Sequence, residues 1–335
     1  MNRSTILLAG VVALAACSFP VVHAQQQVPP APAQAPTPAP GVEAPAAPAA
    51  PQPPKFDTPD PQNFTAATPT KDAINAFLQA AWGFDPNRVW EIEAIQKTAA
   101  DNVSKVVIEV GDKTGKQKVG GVSFIVLADG KHLVAGDEVI PFGEHPYADF
   151  RTALQQRADG PYRGSADKGL ELVEFADFQC PHCKEAQANM EKLAADYPKA
   201  RIVFQNYPLA RIHPQAVAAA TYGYCVAKQG GSSAFFSYAS AVFDGQDGLA
   251  SADGATLTLN SAVTKAGLDP AKIADCSKTP SAGASVQASV KLAQDVNVIQ
   301  TPTLMVNGRA VPANAPYDTL KQIIDYQSKL DGIAQ

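Results

Sequence analysis

LVEFADFQCPHCKEAQ (residues 172–187) runs an apolar stretch into two cysteines separated by two residues. Leu170–Phe175 reads as a buried strand, and Pro181–Tyr197 as a helix with Ala186, Met190, Leu193 and Tyr197 on one face. Ile202–Tyr207 is a second apolar strand. Strand, helix and strand within about forty residues make a βαβ unit with a parallel pair. A helical pattern follows from Gln215 to about Val296, punctuated at Gly230-Gly231, Gly245–Gly248, Asp269-Pro270 and Thr279-Pro280. Thr303–Val306 then reads as a strand, Asn307-Gly308 as a two-residue hairpin turn and Arg309–Val311 as the return strand. Tyr317–Leu330 closes as an amphipathic helix through Leu320, Ile323, Ile324 and Tyr326. The order is βαβ, helical insertion, ββα.

The sulfur chemistry follows from where this pattern puts Cys180. A cysteine at a helix start faces unpaired backbone N–H groups and the positive end of the helix dipole, both of which favour thiolate. Pro181 suits the first helical position, where a missing N–H costs nothing. His182, protonated, is expected to add a further favourable charge for Cys180, with Cys183 one turn inward as a buried resolving thiol. A stabilised thiolate is a good leaving group, which makes the disulfide oxidising. Haem attachment wants histidine directly after the second cysteine, and Lys184 stands there. A structural zinc site needs four ligands, and no second C-x-x-C or H-x-x-H occurs. No metal and no cofactor beyond a redox-active Cys180–Cys183 disulfide is therefore expected.

Upstream, residues 56–157 read as a small α+β domain. Lys71–Trp82 has helical spacing, then period-two runs around Trp90, Ile92, Ala94 and Val106, Ile108, Val110 suggest an antiparallel sheet. Tyr147–Arg157 reads as a linker helix and 158–169 as a linker into the second domain, 169–332. Residues 25–55 are almost all Pro, Ala and Gln, a composition that builds no core and reads as a disordered linker. Before it, Asn2 and Arg3 precede an apolar run, Ile6–Ala16, too short to span a bilayer: a signal peptide. Val22-His23-Ala24 offers one cleavage site, giving a segment 1–24. Leu14-Ala15-Ala16-Cys17 offers a lipobox, giving a segment 1–16 and a lipidated Cys17. The mature protein is expected to be periplasmic or otherwise extracytoplasmic, soluble after cleavage or lipid-anchored through Cys17. Of five cysteines, four then remain in an oxidising compartment. The formal charge is −5 with no Lys/Arg run, which gives no footprint for nucleic acid or for a polybasic membrane patch.

VEFADFQCPHC, together with QTPTLMVNGR at residues 300–309, resembles the DsbA-like branch of the thioredoxin-fold disulfide oxidoreductases over roughly 169–330. The resemblance implies an α/β thioredoxin fold with a helical insertion, here preceded by the small α+β domain. It implies that Pro302 is a cis-proline lying against the redox cysteines, with Thr301 before it, both offering backbone groups to substrate. It implies that Glu174, six residues before Cys180, is buried beneath Cys183 and assists its proton transfer. Cys225 and Cys276 are similar to a second, structural disulfide of some members. Thr301 and the extra N-terminal domain resemble instead the two-domain isomerases DsbC and DsbG.

Three functions compete. The first is a thiol oxidase acting on unfolded or Cys-containing exported proteins and reoxidised by a quinone-linked membrane partner of the DsbB or VKOR kind. The second is an isomerase or reductase, a homodimer through the N-terminal domain. The third is a tethered, non-catalytic binding module or holdase. Cys180→Ser separates the third from the first two.

Overall fold

The computed structural model describes residues 54–115 and 120–333. The candidate signal, Cys17 and nearly all of the Pro/Ala-rich stretch lie outside the described residues. Helix α1 (Lys71–Trp82) starts where the Thr70 hydroxyl accepts from the Ala73 N–H, satisfying one orphan donor of the first turn. Its apolar stripe, Ile74, Phe77 and Leu78, packs on an antiparallel meander. The strands are β1 (Arg88–Lys97), β2 (Ser104–Asp112), β3 (Gly120–Val126), β4 (His132–Ala135) and β5 (Glu138–Pro141), in that spatial order. Ile92, Val106, Ile108, Phe124 and Leu133 face α1, as the period-two pattern requires.

Helix α2 (Ala148–Arg157) falls on the helix read at Tyr147–Arg157, and strand β6 (Tyr162–Gly164) lies within the stretch 158–169 read as linker. Leu154 of α2 is buried against Val173, Phe175 and Val203, inside the second unit's core. Strand β6 pairs antiparallel at the edge of the second sheet. That sheet contains β7 (Glu171–Ala176), β8 (Arg201–Asn206), β9 (Thr303–Val306) and β10 (Arg309–Pro312), in the order β10-β9-β7-β8-β6. Strands β7 and β8 are parallel, and the other pairs are antiparallel. Asn307 and Gly308 take positive φ at the β9–β10 turn, where the backbone of Gly308 lies hard against Tyr147 and Arg151, leaving no room for a side chain.

Alternation along β7 decides what sits on each face. Leu172 and Glu174 look towards helix α3 (Pro181–Asp196), whose Ala186, Met190 and Leu193 are buried with Leu172, Ile202 and Leu304. Helix α8 (Tyr317–Leu330) covers the same face through Leu320, Ile323 and Ile324. Val173 and Phe175 look the other way, to α2 and α7 (Pro280–Asp295). The insertion comprises α4 (Ala216–Asp244), α5 (Ala252–Lys265), α6 (Pro270–Ser277) and α7. Gly231, at φ 72°, breaks α4 into two helical arms. Phe178, Phe204, Phe235, Tyr238 and Phe243 fill the space between insertion and sheet.

The two sheets are tied through the end of α1. Arg309 of β10 donates to the carbonyls of Ala80 and Ala81, and the Tyr326 hydroxyl donates to that of Gln79 at 2.6 Å. Arg309 satisfies last-turn carbonyls that have no partner within the helix and places a cation at its negative end, while Gln79 also accepts from the Gly83 N–H.

Candidate active site: a dithiol at the start of helix α3

Cys180 is the residue immediately before α3, with extended backbone (φ −77°, ψ 122°), and Pro181 opens the helix. The Cys183 and Lys184 N–H groups close on the Cys180 carbonyl at 3.1 and 3.3 Å. Both cysteines are free thiols in this structure and both are buried, Cys180 with 5 % of its surface exposed and Cys183 with none.

The loop that presents Cys180 is fixed by side chains reading its backbone. Buried Asp177 accepts from the N–H groups of Gln179 and Leu209, each at 2.7 Å, and its Oδ2 lies 2.8 Å from Nδ1 of His213. The Asp177 N–H donates to Sγ of Cys183 at 3.4 Å. Gln246 donates to the carbonyls of Phe178 and Cys180 at 2.8 and 2.9 Å. Gln179 accepts from the Gln215 N–H and donates to the Leu249 carbonyl. These contacts leave Cys180 little freedom.

Across from the sulfur stands the Thr301-Pro302 bond, which is cis. The Thr301 carbonyl lies 3.8 Å from Sγ of Cys180, and Pro302 is buried. Beside this loop, an apolar cleft of about 560 Å³ runs between β10 and the first sheet, lined by Val298, Ile299, Gln300 and Thr303 on one side and Phe77, Trp82 and Phe124 on the other.

The electrostatics separate the two thiols. The Cys183 side chain, hydrogen-bonded to the Cys180 sulfur, holds the Cys180 thiol down to about 5 against the opposing effect of burial. Thr301 and the backbone N–H groups of Cys183 and His182 lower it further. Burial, and the thiolate beside it, push Cys183 far up. Glu174 is buried on the α3 face, and desolvation raises its carboxyl to about 7. Gln187 donates to Glu174 at 2.9 Å and to the Cys183 carbonyl at 3.1 Å, linking the acid to the backbone of Cys183.

His182 lies in the first turn of α3. Its imidazole is exposed and turned to Glu185, Nδ1 to Oε2 at 3.0 Å, and that carboxylate raises its pKa. His182 gives Cys180 its backbone N–H, and the Cys180 charge in turn raises the imidazole pKa, an attraction between the two. An imidazole one residue into a helix points outward, and a glutamate three residues on is its natural neighbour. Asp177, Gln187, Gln246 and the His213 contact to Asp177 escaped the sequence reading. Cys225 of α4 and Cys276 of α6 are bonded, with Cα atoms 6.0 Å apart, inside the insertion. Among the described residues, no three His, Cys, Asp or Glu side chains cluster as metal ligands.

The thioredoxin family model Thioredoxin_4 matches residues 156–326. The match spans half of the chain, and the chain belongs to that family. Among curated proteins, the chain is similar to Na(+)/H(+) antiporter NhaA 3 of Salinispora tropica, 31 % identical over 147 residues, which are 44 % of this chain and 21 % of the antiporter. Antiporter NhaA 1 of Mycolicibacterium vanbaalenii is 30 % identical over 164 residues, 48 % of this chain and 25 % of that protein. The chain thus spans a quarter or less of the length of these relatives. Among solved structures, a thioredoxin-like oxidoreductase from Silicibacter pomeroyi aligns with TM-score 0.46 at 23 % identity, over 53 % of this chain and 98 % of that one. The thiol-disulfide exchange protein α-DsbA2 from Wolbachia pipientis aligns with TM-score 0.45 at 20 % identity, over 53 % and 95 %.

Proposed function

We propose that this protein is an exported thiol:disulfide oxidoreductase that oxidises cysteines of substrate proteins through the Cys180–Cys183 pair. The observation that carries the reading is the asymmetry of the two sulfurs: a Cys180 thiol held to about 5 at a helix start, backed by a deeply buried Cys183. A substrate thiolate attacks Sγ of Cys180, the bond to Cys183 breaks, and the electron pair leaves on Cys183. A second substrate thiolate then attacks the substrate sulfur and expels Cys180, which leaves readily because its thiolate is stable. Two electrons pass from the substrate dithiol to the pair. A thiolate this stable gains little as an attacking group, since nucleophilicity falls with pKa, and this favours the oxidase over the isomerase. The Thr301 carbonyl beside Sγ is a backbone acceptor for an extended substrate segment. Export is supported by the bonded Cys225–Cys276 pair, a chemistry at home outside the cytoplasm.

The test is trapping. Cys183→Ala, its Cys180 first charged as the mixed disulfide with glutathione, should exchange glutathione for a reduced, unfolded single-cysteine protein and accumulate that mixed disulfide. Cys180→Ser should form none, and the unaltered pair should oxidise a two-cysteine substrate with turnover when glutathione disulfide is the terminal oxidant. Equal oxidation by Cys180→Ser would refute the assignment.

A further inference from the structure

The edge strand β6 carries a charge towards the buried acid of the exchange centre, a role no motif suggested. Arg163 of β6 pairs in register with Ile202 of β8, and Ile202 with Leu172 of β7. Residues in register share a sheet face, so Arg163 lies on the face of Leu172 and Glu174, beneath α3. It is two strand spacings from β7, roughly 10 Å, a span that an arginine and a glutamate together reach across. The guanidinium packs over the Phe236 ring, its carbon 4.9 Å from the centroid, and its Nε is buried without a hydrogen-bond acceptor. A half-buried cation with a buried, unsatisfied donor is costly to keep. Helix α3 lays one stripe at four-residue spacing over the same row: Cys183, Gln187 and Glu191. Gln187 joins Glu174 to the backbone carbonyl of Cys183, and Glu191, exposed at the outer end, acts on Arg163.

We propose that Arg163 is a positioning residue of the exchange centre, stabilising the Glu174 carboxylate that remains when Cys183 takes a proton. The proposal rests on the oxidoreductase reading above. When substrate thiolate attacks Sγ of Cys180, the Cys180–Cys183 bond breaks and its electron pair leaves on Cys183. Protonated Glu174 supplies the proton and becomes a carboxylate. Arg163 then faces an anion where before it faced a neutral acid, and the proton returns from solvent at the Glu191 end. The charged and titratable groups facing Glu174 are few. Strand β6 brings Arg163, α3 brings Cys183 and, beyond Arg163, Glu191, and the register partners on β8 and β9 are apolar Phe204 and Leu304. Arg163 and Glu174 affect each other reciprocally, each favouring the other's charged form.

The experiment follows the Glu174 side-chain carboxyl by carbon-13 NMR against pH in the reduced, full chain, with Glu174→Gln assigning the signal. Arg163→Met should move its midpoint up by about one pH unit, and Arg163→Lys should restore most of the shift. The pH dependence of Cys183 protonation after attack by dithiothreitol should move with it. An unmoved midpoint in folded Arg163→Met overturns the proposal. If that variant does not fold, exposed Glu191→Gln carries the test: removing the anion that competes for Arg163 should lower the midpoint, and no change overturns the proposal. Alkylation of Cys180 in the same samples separates the two readings. A Cys180 that titrates near 5 while Glu174 stays unmoved sinks only the role of Arg163, whereas an ordinary Cys180 thiol sinks the exchange centre itself.

Discussion

Replacing Cys183 with alanine tests what holds the Cys180 thiolate. The Cys183 thiol is the largest single influence lowering Cys180, ahead of Thr301 and the backbone N–H groups of Cys183 and His182, which alanine leaves in place. A hydrogen bond to a charged acceptor contributes about 1.5–3 kcal/mol, and a thiol is a weak donor, so the lower figure applies. At 1.36 kcal/mol per pH unit, Cys183→Ala should raise the Cys180 midpoint by about one unit, from about 5 to about 6. Cys183→Ser keeps a hydroxyl donor at the same place and should leave the midpoint near 5. Thiolate absorbance at 240 nm, followed through acid titration in a Cys17→Ser background, reads Cys180 alone, because Cys225 and Cys276 are bonded. Equal midpoints in all three proteins would refute the account of thiolate stabilisation, as would serine behaving like alanine.

Further expectations concern the surroundings of the pair. Glu174→Gln should slow the step that expels Cys183 by about ten- to a hundredfold below pH 7, where the acid is protonated, with stopped-flow reduction by dithiothreitol as the assay. In the reduced form Cys180 titrates at about 5 folded against 9.0 unfolded, so unfolding takes up protons between those values. Stability of the reduced protein relative to the oxidised should therefore rise from pH 5 towards 8.5 and be lost as pH falls through 5, measured by urea unfolding of both forms. Phe178→Ala should cost about 3–5 kcal/mol by the same unfolding assay, since the ring is buried among Phe204, Phe235, Tyr238 and Phe243. Gln246→Leu frees the carbonyls of Phe178 and Cys180 and should slow substrate oxidation at least threefold, without moving the Cys225–Cys276 bond.

Elements with a strong period were legible from residues alone. The bounds of α1, β9 and α8 fall where apolar spacing puts them, and the breaks of the insertion fall at Gly231, Pro270 and Pro280. Strand β6 was not legible: three residues following Gly160-Pro161 are too few to show a period, and only pairing with β8 makes them a strand. The same loss hid Arg163. Asp177 stayed hidden because its partners, the Leu209 N–H and His213, lie more than thirty residues on and meet it only in the fold. His182 was legible only in part. Position between the sulfurs suggested a charge for Cys180, and the two do attract, yet the stronger partner is Glu185 three residues on, the usual neighbour on a helix surface.

The measurement that bears most directly on the central claim is the reduction potential of the Cys180–Cys183 couple at pH 7. Thioredoxin, with a cysteine near pKa 7, stands at about −270 mV. A Cys180 at about 5 stabilises the reduced form at pH 7 some fiftyfold more, and about 30 mV per tenfold change makes this roughly 50 mV. Equilibration with glutathione redox buffers, read by thiol alkylation, should place the couple at about −220 mV. A value at or below about −270 mV would contradict the account, because a pair so easily kept oxidised could not pass its disulfide on.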